Sequence, residues 1–121
     1  MTTPSEILDA AADLIEPDGR WTQGAWARDA KLKPTREDGP ESVCFCLYGA
    51  LFRAAGQQGI WQPETHLREV LQYPNENLIS WNDDPARKQT EVVSALRRAA
   101  DLARAAETTP ETADQPEGQA T

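Results

Sequence analysis

This sequence lacks long apolar runs, and it lacks a basic N-terminal segment. No apolar stretch approaches the roughly 20 residues needed to span a bilayer. The first residues include Glu6, Asp9 and Asp13, whereas a secretory signal peptide is basic and then apolar. We therefore expect no transmembrane helix and no signal peptide.

Cysteine and positive charge are scarce. The two cysteines, Cys44 and Cys46, are two positions apart, which is too close for an ordinary disulfide within one helix. Reduced thiols are typical of the cytoplasm, so we expect a cytoplasmic protein. The net charge of −8 argues against a general binder of nucleic acid or of membrane surfaces, because both are anionic.

Motifs of common enzymes are also missing: the sequence has no GxGxxG, GxxxxGK or GxSxG. Cys44, Cys46 and His66 supply three potential zinc ligands, but no fourth is evident. Cys46 and His66 could act as nucleophile and base, but on an apolar helix a cysteine usually packs as a small hydrophobe. We predict no catalytic residue, no metal and no cofactor, and the question of enzymatic activity stays open.

The length of 121 residues predicts one domain, at residues 1–106. Residues 107–121 form an acidic tail with no Lys or Arg and no large apolar residue. The acidic residues of this tail are Glu107, Glu111, Asp114 and Glu117. This composition predicts disorder.

The first predicted helix begins at a capping box, Thr3–Glu6, with Pro4 at its first position. Its apolar face comprises Ile7, Leu8, Ala11, Leu14 and Ile15. The opposite stripe comprises Glu6, Asp9, Asp13 and Glu16. Two interpretations of this acidic stripe stay open: a docking face for a basic partner, or a face that is solvated or paired with arginines of the last helix.

The segment from Arg20 to Arg36 is irregular. Short extended pieces at Ala25–Asp29 and Lys31–Lys33 predict a small hairpin. Trp21 and Trp26 are unusual in so polar a segment. They either cover a small core or line a pocket or partner surface.

A second helix is predicted from near Pro40 to Gly56, with Cys44 and Cys46 in its second turn. Gly49 and Ala50 on this helix would allow another helix to approach closely. A short third helix is predicted to begin at Gln62–Glu64 and to end at Tyr73–Asn75.

A strand is predicted at Leu78–Trp81, followed by a turn and the last helix. Asp84 is the predicted N-cap and Pro85 the first helical residue. The buried stripe of this helix comprises Val92, Leu96, Ala99 and Ala103.

Three sequence blocks resemble a family of small domains of unknown function from bacteria and their phages. These blocks are Trp21–Ala30, Val43–Leu51 and Ser80–Arg87 followed by Glu91–Val93. The resemblance implies no assigned activity. The family often has a small hydroxyl residue directly after the arginine, where this chain has Lys88. The resemblance therefore implies that the cap comes from Asp84 or nearby and that the last helix starts early.

These patterns predict a mostly α fold of four helices with a small extended or β patch. We expect the second and last helices to pack together, with the first alongside. The Trp21–Lys33 segment and the Leu78–Trp81 strand are expected to pair in a sheet, which the helices behind must support.

Two functions remain open. The first is a non-catalytic binding or interaction module whose partner is another protein. The second is a small enzyme or ligand-binding domain with a site near Trp81, Asn82 and Asp83 and near Arg28 and Arg87. The candidate binding residues are Trp21, Trp26, Arg28, Trp81, Asn82, Asp83 and Arg87.

Overall fold

The computed structural model describes residues 2–72 and 77–108, with only the backbone of Thr108. The helices of these residues are α1 (Pro4–Ile15), α2 (Leu47–Ala55), α3 (Trp61–Leu71), α4 (Leu78–Asn82) and α5 (Gln89–Thr108). The strands are β1 (Ala27–Arg28), β2 (Pro34–Thr35) and β3 (Cys44–Phe45). The predicted fold class, mostly helical with a small sheet, is confirmed.

Helix α1 begins as its sequence predicts. The Thr3 side chain accepts a hydrogen bond from the Glu6 backbone N–H, and the Glu6 carboxylate accepts one from the Thr3 N–H. Ile7, Leu8 and Ile15 are fully buried. The capping box and the apolar face therefore fix where α1 starts and which side faces the core.

The acidic stripe of α1 is paired with arginines of α5. Arg97 contacts Asp9 at 3.0 Å, Asp13 at 2.7 Å and Glu16 at 2.8 Å. Arg104 contacts the other oxygen of Asp9 at 3.1 Å. This outcome matches the predicted pairing with arginines of the last helix.

The sheet has the order β2-β1-β3, and both pairings are antiparallel. The predicted hairpin is present, but its second strand lies later than Lys31–Lys33. Asp29 explains the shift, because its carboxylate accepts hydrogen bonds from the backbone N–H groups of Lys31 and Lys33 and closes the turn. The third strand is β3 and not Leu78–Trp81, so the predicted pairing partner was wrong.

Helix α2 begins later than predicted, at Leu47 instead of near Pro40. Cys44 and Phe45 pair with β1 as a strand, so neither cysteine lies in a second helical turn. Cys46 is the N-cap, and its sulfur accepts a hydrogen bond from the Gly49 N–H at 3.3 Å. The prediction that Gly56 ends the helix is confirmed.

Gly49 allows a close approach, but of a strand segment and not of a helix. A Cβ atom at Gly49 would lie 1.9 Å from the Trp26 carbonyl oxygen. That same oxygen accepts a hydrogen bond from the Cys46 N–H at 3.1 Å. Only glycine therefore lets α2 sit this close to the residue before β1.

The predicted strand at Leu78–Trp81 is a helical turn, α4. The Asn77 side chain caps it by accepting a hydrogen bond from the Ile79 N–H at 2.8 Å. Leu78, Trp81 and Asn82 are buried at spacings of three and four, which is the helical period and not the period of two in a strand. The strand prediction was wrong because the cap at Asn77 outweighs the strand preference of Ile79 and Trp81.

Helix α5 begins at Gln89, so the predicted N-cap at Asp84 was wrong. Asp84 instead closes a turn, because its carboxylate accepts a hydrogen bond from the Ala86 N–H at 2.9 Å. Lys88 precedes the helix and has no side-chain acceptor for a cap. The Glu91 carboxylate accepts the Lys88 N–H at 2.8 Å, which is one half of a capping box.

Helix α1 is central to the packing. It lies against both α5 and α2, while α3 packs on α5 and α4 packs on α2. Among the described residues, the main contacts of the second and last helices are therefore with α1, and not with each other as predicted. The alanines of α1 permit this arrangement, since Ala11 and Ala12 are fully buried.

Helix α5 continues two residues past the predicted domain boundary at residue 106. The Glu107 carboxylate accepts hydrogen bonds from the Ser5 N–H at 3.0 Å and from the Ser5 hydroxyl at 2.6 Å. Glu107, the first residue of the predicted tail, is thus exposed but hydrogen-bonded to α1. The rest of that tail and the predicted turn at Tyr73–Asn75 lie outside the described residues. Within the described ranges, no helix is long and apolar enough to cross a membrane.

We predict that Gly49→Ala lowers the free energy of unfolding by about 3 kcal/mol or more, through the clash with the Trp26 carbonyl. At a solvent-exposed position inside a helix, the same change would stabilise the protein by about 1 kcal/mol. Gly39→Ala is the control, because the closest atom to its Cβ is the end of the flexible Glu41 side chain. Chemical denaturation of the two variants measures the difference, and equal stability would contradict the close approach.

We also predict that Arg97→Gln destabilises the protein by about 1–2 kcal/mol at neutral pH, because three carboxylates share this guanidinium. Arg98→Gln is the matched control, since Arg98 is exposed and has no ion pair with a described residue. Denaturation curves of both variants at several pH values provide the measurement.

The Arg97 effect should depend on pH. Burial alone would raise the pKa of the Asp9 carboxyl, but hydrogen bonds from Arg97 and Arg104 lower it below its ordinary value of 3.8. A carboxyl group whose pKa is lower in the folded than in the unfolded protein stabilises the fold at pH values above its unfolded-state pKa. This stabilisation is lost as the pH falls through the folded-state pKa. The Arg97→Gln penalty should therefore shrink below about pH 4. A penalty that stays constant to pH 2 would show that the ion pairs contribute nothing.

Candidate functional site

The Asn82 side chain connects three separate segments of the chain. Its Oδ1 accepts hydrogen bonds from the Trp21 indole N–H at 2.7 Å and from the Leu47 backbone N–H at 3.1 Å. Its Nδ2 donates to the Thr22 carbonyl at 3.2 Å. Asn82 is only 1% exposed, so these bonds form away from competing water.

These contacts join the three sequence blocks on which the family resemblance rests. Trp21 comes from the first block, Leu47 from the second, and Asn82 from the third. Leu47 is the first residue of α2, so its N–H has no partner within the helix. Asn82 therefore provides the acceptor for the first backbone N–H of α2 and also holds the segment before β1 in place.

Asp83 and Gln23 extend this network. The Asp83 Oδ1 accepts hydrogen bonds from the Gly24 N–H at 3.0 Å and from the Asn82 side chain at 2.9 Å. The Gln23 amide donates to the carbonyls of Asn82 and Asp84, both at 2.8 Å. Asp83 therefore holds the loop before β1 and does not cap the last helix.

Arg28 lies next to the same loop and is held by backbone carbonyls. Its Nη2 donates to the Gln23 carbonyl at 2.9 Å and its Nη1 to the Leu32 carbonyl at 3.1 Å. Its Nε donates to the Thr22 hydroxyl at 2.9 Å. All three guanidinium nitrogens thus have partners within the chain, and these hydrogen bonds stabilise the hairpin.

Trp81 and Arg87 form a second arrangement on α4 and the turn after it. The Arg87 guanidinium lies over the Trp81 ring, 3.9 Å from its centroid. Its Nε donates to the Trp81 carbonyl at 2.9 Å. The structure therefore pairs Arg87 with Trp81, while Arg28 is held by the hairpin.

Trp26 belongs to a different surface from Trp21. It stacks on Phe52, with ring centroids 5.0 Å apart, and meets the edge of Tyr48 at 6.2 Å. Tyr48 and Phe52 also contact each other edge to face. We call these three residues the aromatic cluster. Trp26 is 39% exposed, so the cluster reaches the protein surface.

Tyr48 ties the aromatic cluster to a charged pair on α3. Its hydroxyl hydrogen-bonds the Glu64 carboxylate, which also contacts Arg68 at 3.0 Å. Burial and the neighbouring Glu64 carboxylate raise the pKa of Tyr48 to about 12. The phenol therefore stays protonated at neutral pH and acts as a hydrogen-bond donor.

The two thiols are buried, as expected, and burial raises the pKa of the Cys46 thiol. A raised pKa keeps this sulfur in its less nucleophilic form. His66 lies on α3 and lines a cavity with Pro4, Trp61 and Glu107.

The sequence alone does not single out three residues that lie at the candidate surfaces: Tyr48, Phe52 and Arg98. Tyr48 and Phe52 are four apart on α2, and this spacing was the available signal for a shared helix face. Their contact with Trp26 depends on the β1–α2 approach at Gly49, which the pattern of a single sequence does not reveal. Arg98 directly follows Arg97, and only the helix geometry separates their roles.

We predict that Asn82→Ala lowers the free energy of unfolding by about 3 kcal/mol or more. It leaves the Trp21 and Leu47 N–H groups without their acceptor, and each such loss costs about 1–3 kcal/mol. Asp84→Ala removes an exposed turn contact and a long ion pair with Arg87, and it should cost about 0.5–1 kcal/mol. Urea denaturation distinguishes the two, and an Asn82→Ala variant as stable as the control would contradict the bridging role.

Comparison with known proteins gives a match over most of the chain. The model of a family of unknown function, DUF6197, matches residues 1–102. The matched range includes α1 to α4, the sheet and the Asn82 contacts. No curated protein and no solved structure matches. The chain therefore belongs to the family of unknown function DUF6197.

Proposed function

We propose that this chain is a non-catalytic protein-interaction module whose contact surface is the aromatic cluster. The observation that carries the proposal is the exposed Trp26 ring stacked on the half-buried Phe52 ring. Tryptophan and tyrosine are enriched among the residues that dominate binding energy in protein interfaces. Stacked rings also lose little conformational freedom on binding, because their neighbours already hold them.

The chemistry of the predicted site supports binding over catalysis. Asn82, Asp83 and Arg28 use their side-chain groups on internal backbone and indole partners. The Cys46 thiol has a raised pKa and accepts a backbone N–H. These groups hold the aromatic cluster in place through β1 and the start of α2.

The partner we infer is a protein with an apolar side chain surrounded by basic residues. The apolar side chain would contact the rings of Trp26 and Phe52. The net charge of −8 favours encounter with a basic surface, since complementary charge raises association rates. The same charge disfavours nucleic acid and anionic membranes.

We further propose that the module acts in the cytoplasm. Two free, buried cysteines support this location, because unpaired thiols are typical of reducing compartments. The resemblance of the three sequence blocks supports an accessory role in a bacterium or its phage.

The test uses the wild-type chain, Trp26→Ala and Trp61→Ala as baits in an extract of the native cell. Trp61 is the matched control, because it is 76% exposed and lies on α3, outside the aromatic cluster. The captured protein is then purified, and its affinity for each bait is measured by calorimetry. We predict that Trp26→Ala weakens binding by about 2 kcal/mol or more, while Trp61→Ala leaves it unchanged.

Thermal melts of both variants establish that each is folded. Association with the wild-type chain should slow as salt concentration rises. Equal affinity of Trp26→Ala and wild type would contradict the proposal, as would failure of the wild-type bait to retain any saturable partner. Concentration-dependent dimerisation that Trp26→Ala abolishes would assign the surface to a second copy and would also overturn it.

A further inference from the structure

A groove separate from the aromatic cluster lies between α5 and α4, at the end of α3. Its volume is about 430 Å³, which is within the usual range of about 300–1,000 Å³ for small-molecule sites. Its principal lining residues are Trp81, Arg87, Thr90, Glu91, Ser94 and Arg98. Two guanidinium groups and two hydroxyl groups therefore border one opening.

Arg87 is held rigidly at this groove. Its Nε donates to the Trp81 carbonyl at 2.9 Å, and its guanidinium stacks on the Trp81 ring. The side chain is only 17% exposed. Because one nitrogen and one face of the guanidinium are fixed, the positions of the two terminal nitrogens are fixed as well.

The terminal nitrogens of Arg87 form two long ion pairs but no hydrogen bond with the described residues. The Glu91 carboxylate lies 3.7 Å from Nη1 and the Asp84 carboxylate 3.9 Å from Nη2. Both distances exceed hydrogen-bond length. Among the described residues, the terminal N–H groups of this preorganised guanidinium are therefore ion-paired but not hydrogen-bonded, and an anionic oxygen at hydrogen-bond distance could replace these longer contacts.

Arg98 provides the second cation. It lies four residues after Ser94 on α5, and the described residues give it no ion pair or hydrogen bond. Its neighbours differ: Arg97 contacts three carboxylates and Arg104 contacts two. The exposed Arg98 side chain is thus free to reach a ligand in the groove.

We propose that this groove binds a small molecule through a phosphate or carboxylate group. A guanidinium offers parallel N–H donors that match the oxygens of either group. In the bound state, Arg87 and Arg98 donate to the anionic oxygens, and the Thr90 and Ser94 hydroxyls complete the donor set. This site is independent of the aromatic cluster.

The Glu91 carboxylate should weaken the binding of an anion at this groove, so removing its charge should raise the affinity. The carboxylate borders the groove, and its negative charge repels an incoming anion. Glu91→Gln removes this charge and keeps the oxygen that accepts the Lys88 N–H at the start of α5. Loss of Arg98 and loss of the Glu91 charge should therefore change affinity in opposite directions.

The experiment titrates the intact chain with inorganic phosphate and, separately, with acetate at constant ionic strength. Nuclear magnetic resonance follows the Arg87 Nε–H and the backbone amides of Thr90, Ser94 and Arg98. We expect saturable shifts at these groups. Arg98→Gln should weaken binding about two- to fivefold, and Glu91→Gln should strengthen it by a similar factor.

Arg36→Gln is the control, because Arg36 is an exposed arginine paired with Asp38 and does not line the groove. It should leave both affinities unchanged. Saturation by phosphate but not acetate would assign a phosphate ligand, and the reverse would assign a carboxylate; both outcomes support the site. Absence of saturable shifts with both anions would overturn the proposal. Equal weakening by Arg98→Gln and Arg36→Gln would also overturn it, because that result indicates nonspecific attraction to surface charge.

Discussion

The buried amide of Asn82 is the contact on which the rest of this structure depends. One oxygen receives the Trp21 indole and the first N–H of α2, and the nitrogen donates to the Thr22 carbonyl. Three segments distant in sequence are thereby fixed at one point. Losing the acceptor would strand two donors away from water, and an unsatisfied buried donor costs more than a formed hydrogen bond contributes. The short sheet and the short helix α4 could not hold their places by themselves, because strands of two residues bury too little surface.

The two candidate surfaces both depend on this contact but use different residues. The aromatic cluster exists because β1 passes within contact distance of α2 at Gly49, which puts Trp26 on Phe52. The groove exists because α4 presents the Trp81 ring as a platform for Arg87. In each case a backbone contact positions the side chains that form the proposed surface. The partner binding proposed at the aromatic cluster and the anion binding proposed at the groove can therefore be tested by separate mutations.

Local signals in the sequence determined α1 well and the middle of the chain poorly. The capping box at Thr3–Glu6 is complete within four residues, so α1 could be placed without tertiary information. The start of α2 could not, because Cys44 and Phe45 take their strand conformation from pairing with β1. Leu78–Trp81 was assigned as a strand from residue preference, while the cap at Asn77 and the burial of Asn82 favour a helix. The sequence singles out Asn82 and Asp83 as candidate site residues, but the hydrogen bonds that they form depend on partners about sixty residues away.

Hydrogen exchange of the tryptophan indoles tests the central role of Asn82 most directly. The Trp21 indole N–H donates to the buried Asn82 oxygen, whereas the Trp61 side chain is 76% exposed and serves as an internal reference in the same molecule. If Asn82 joins the three segments, the Trp21 indole should exchange as slowly as core amides of α1, since both open only on global unfolding. A Trp21 indole that exchanges as fast as that of Trp61 would contradict this account.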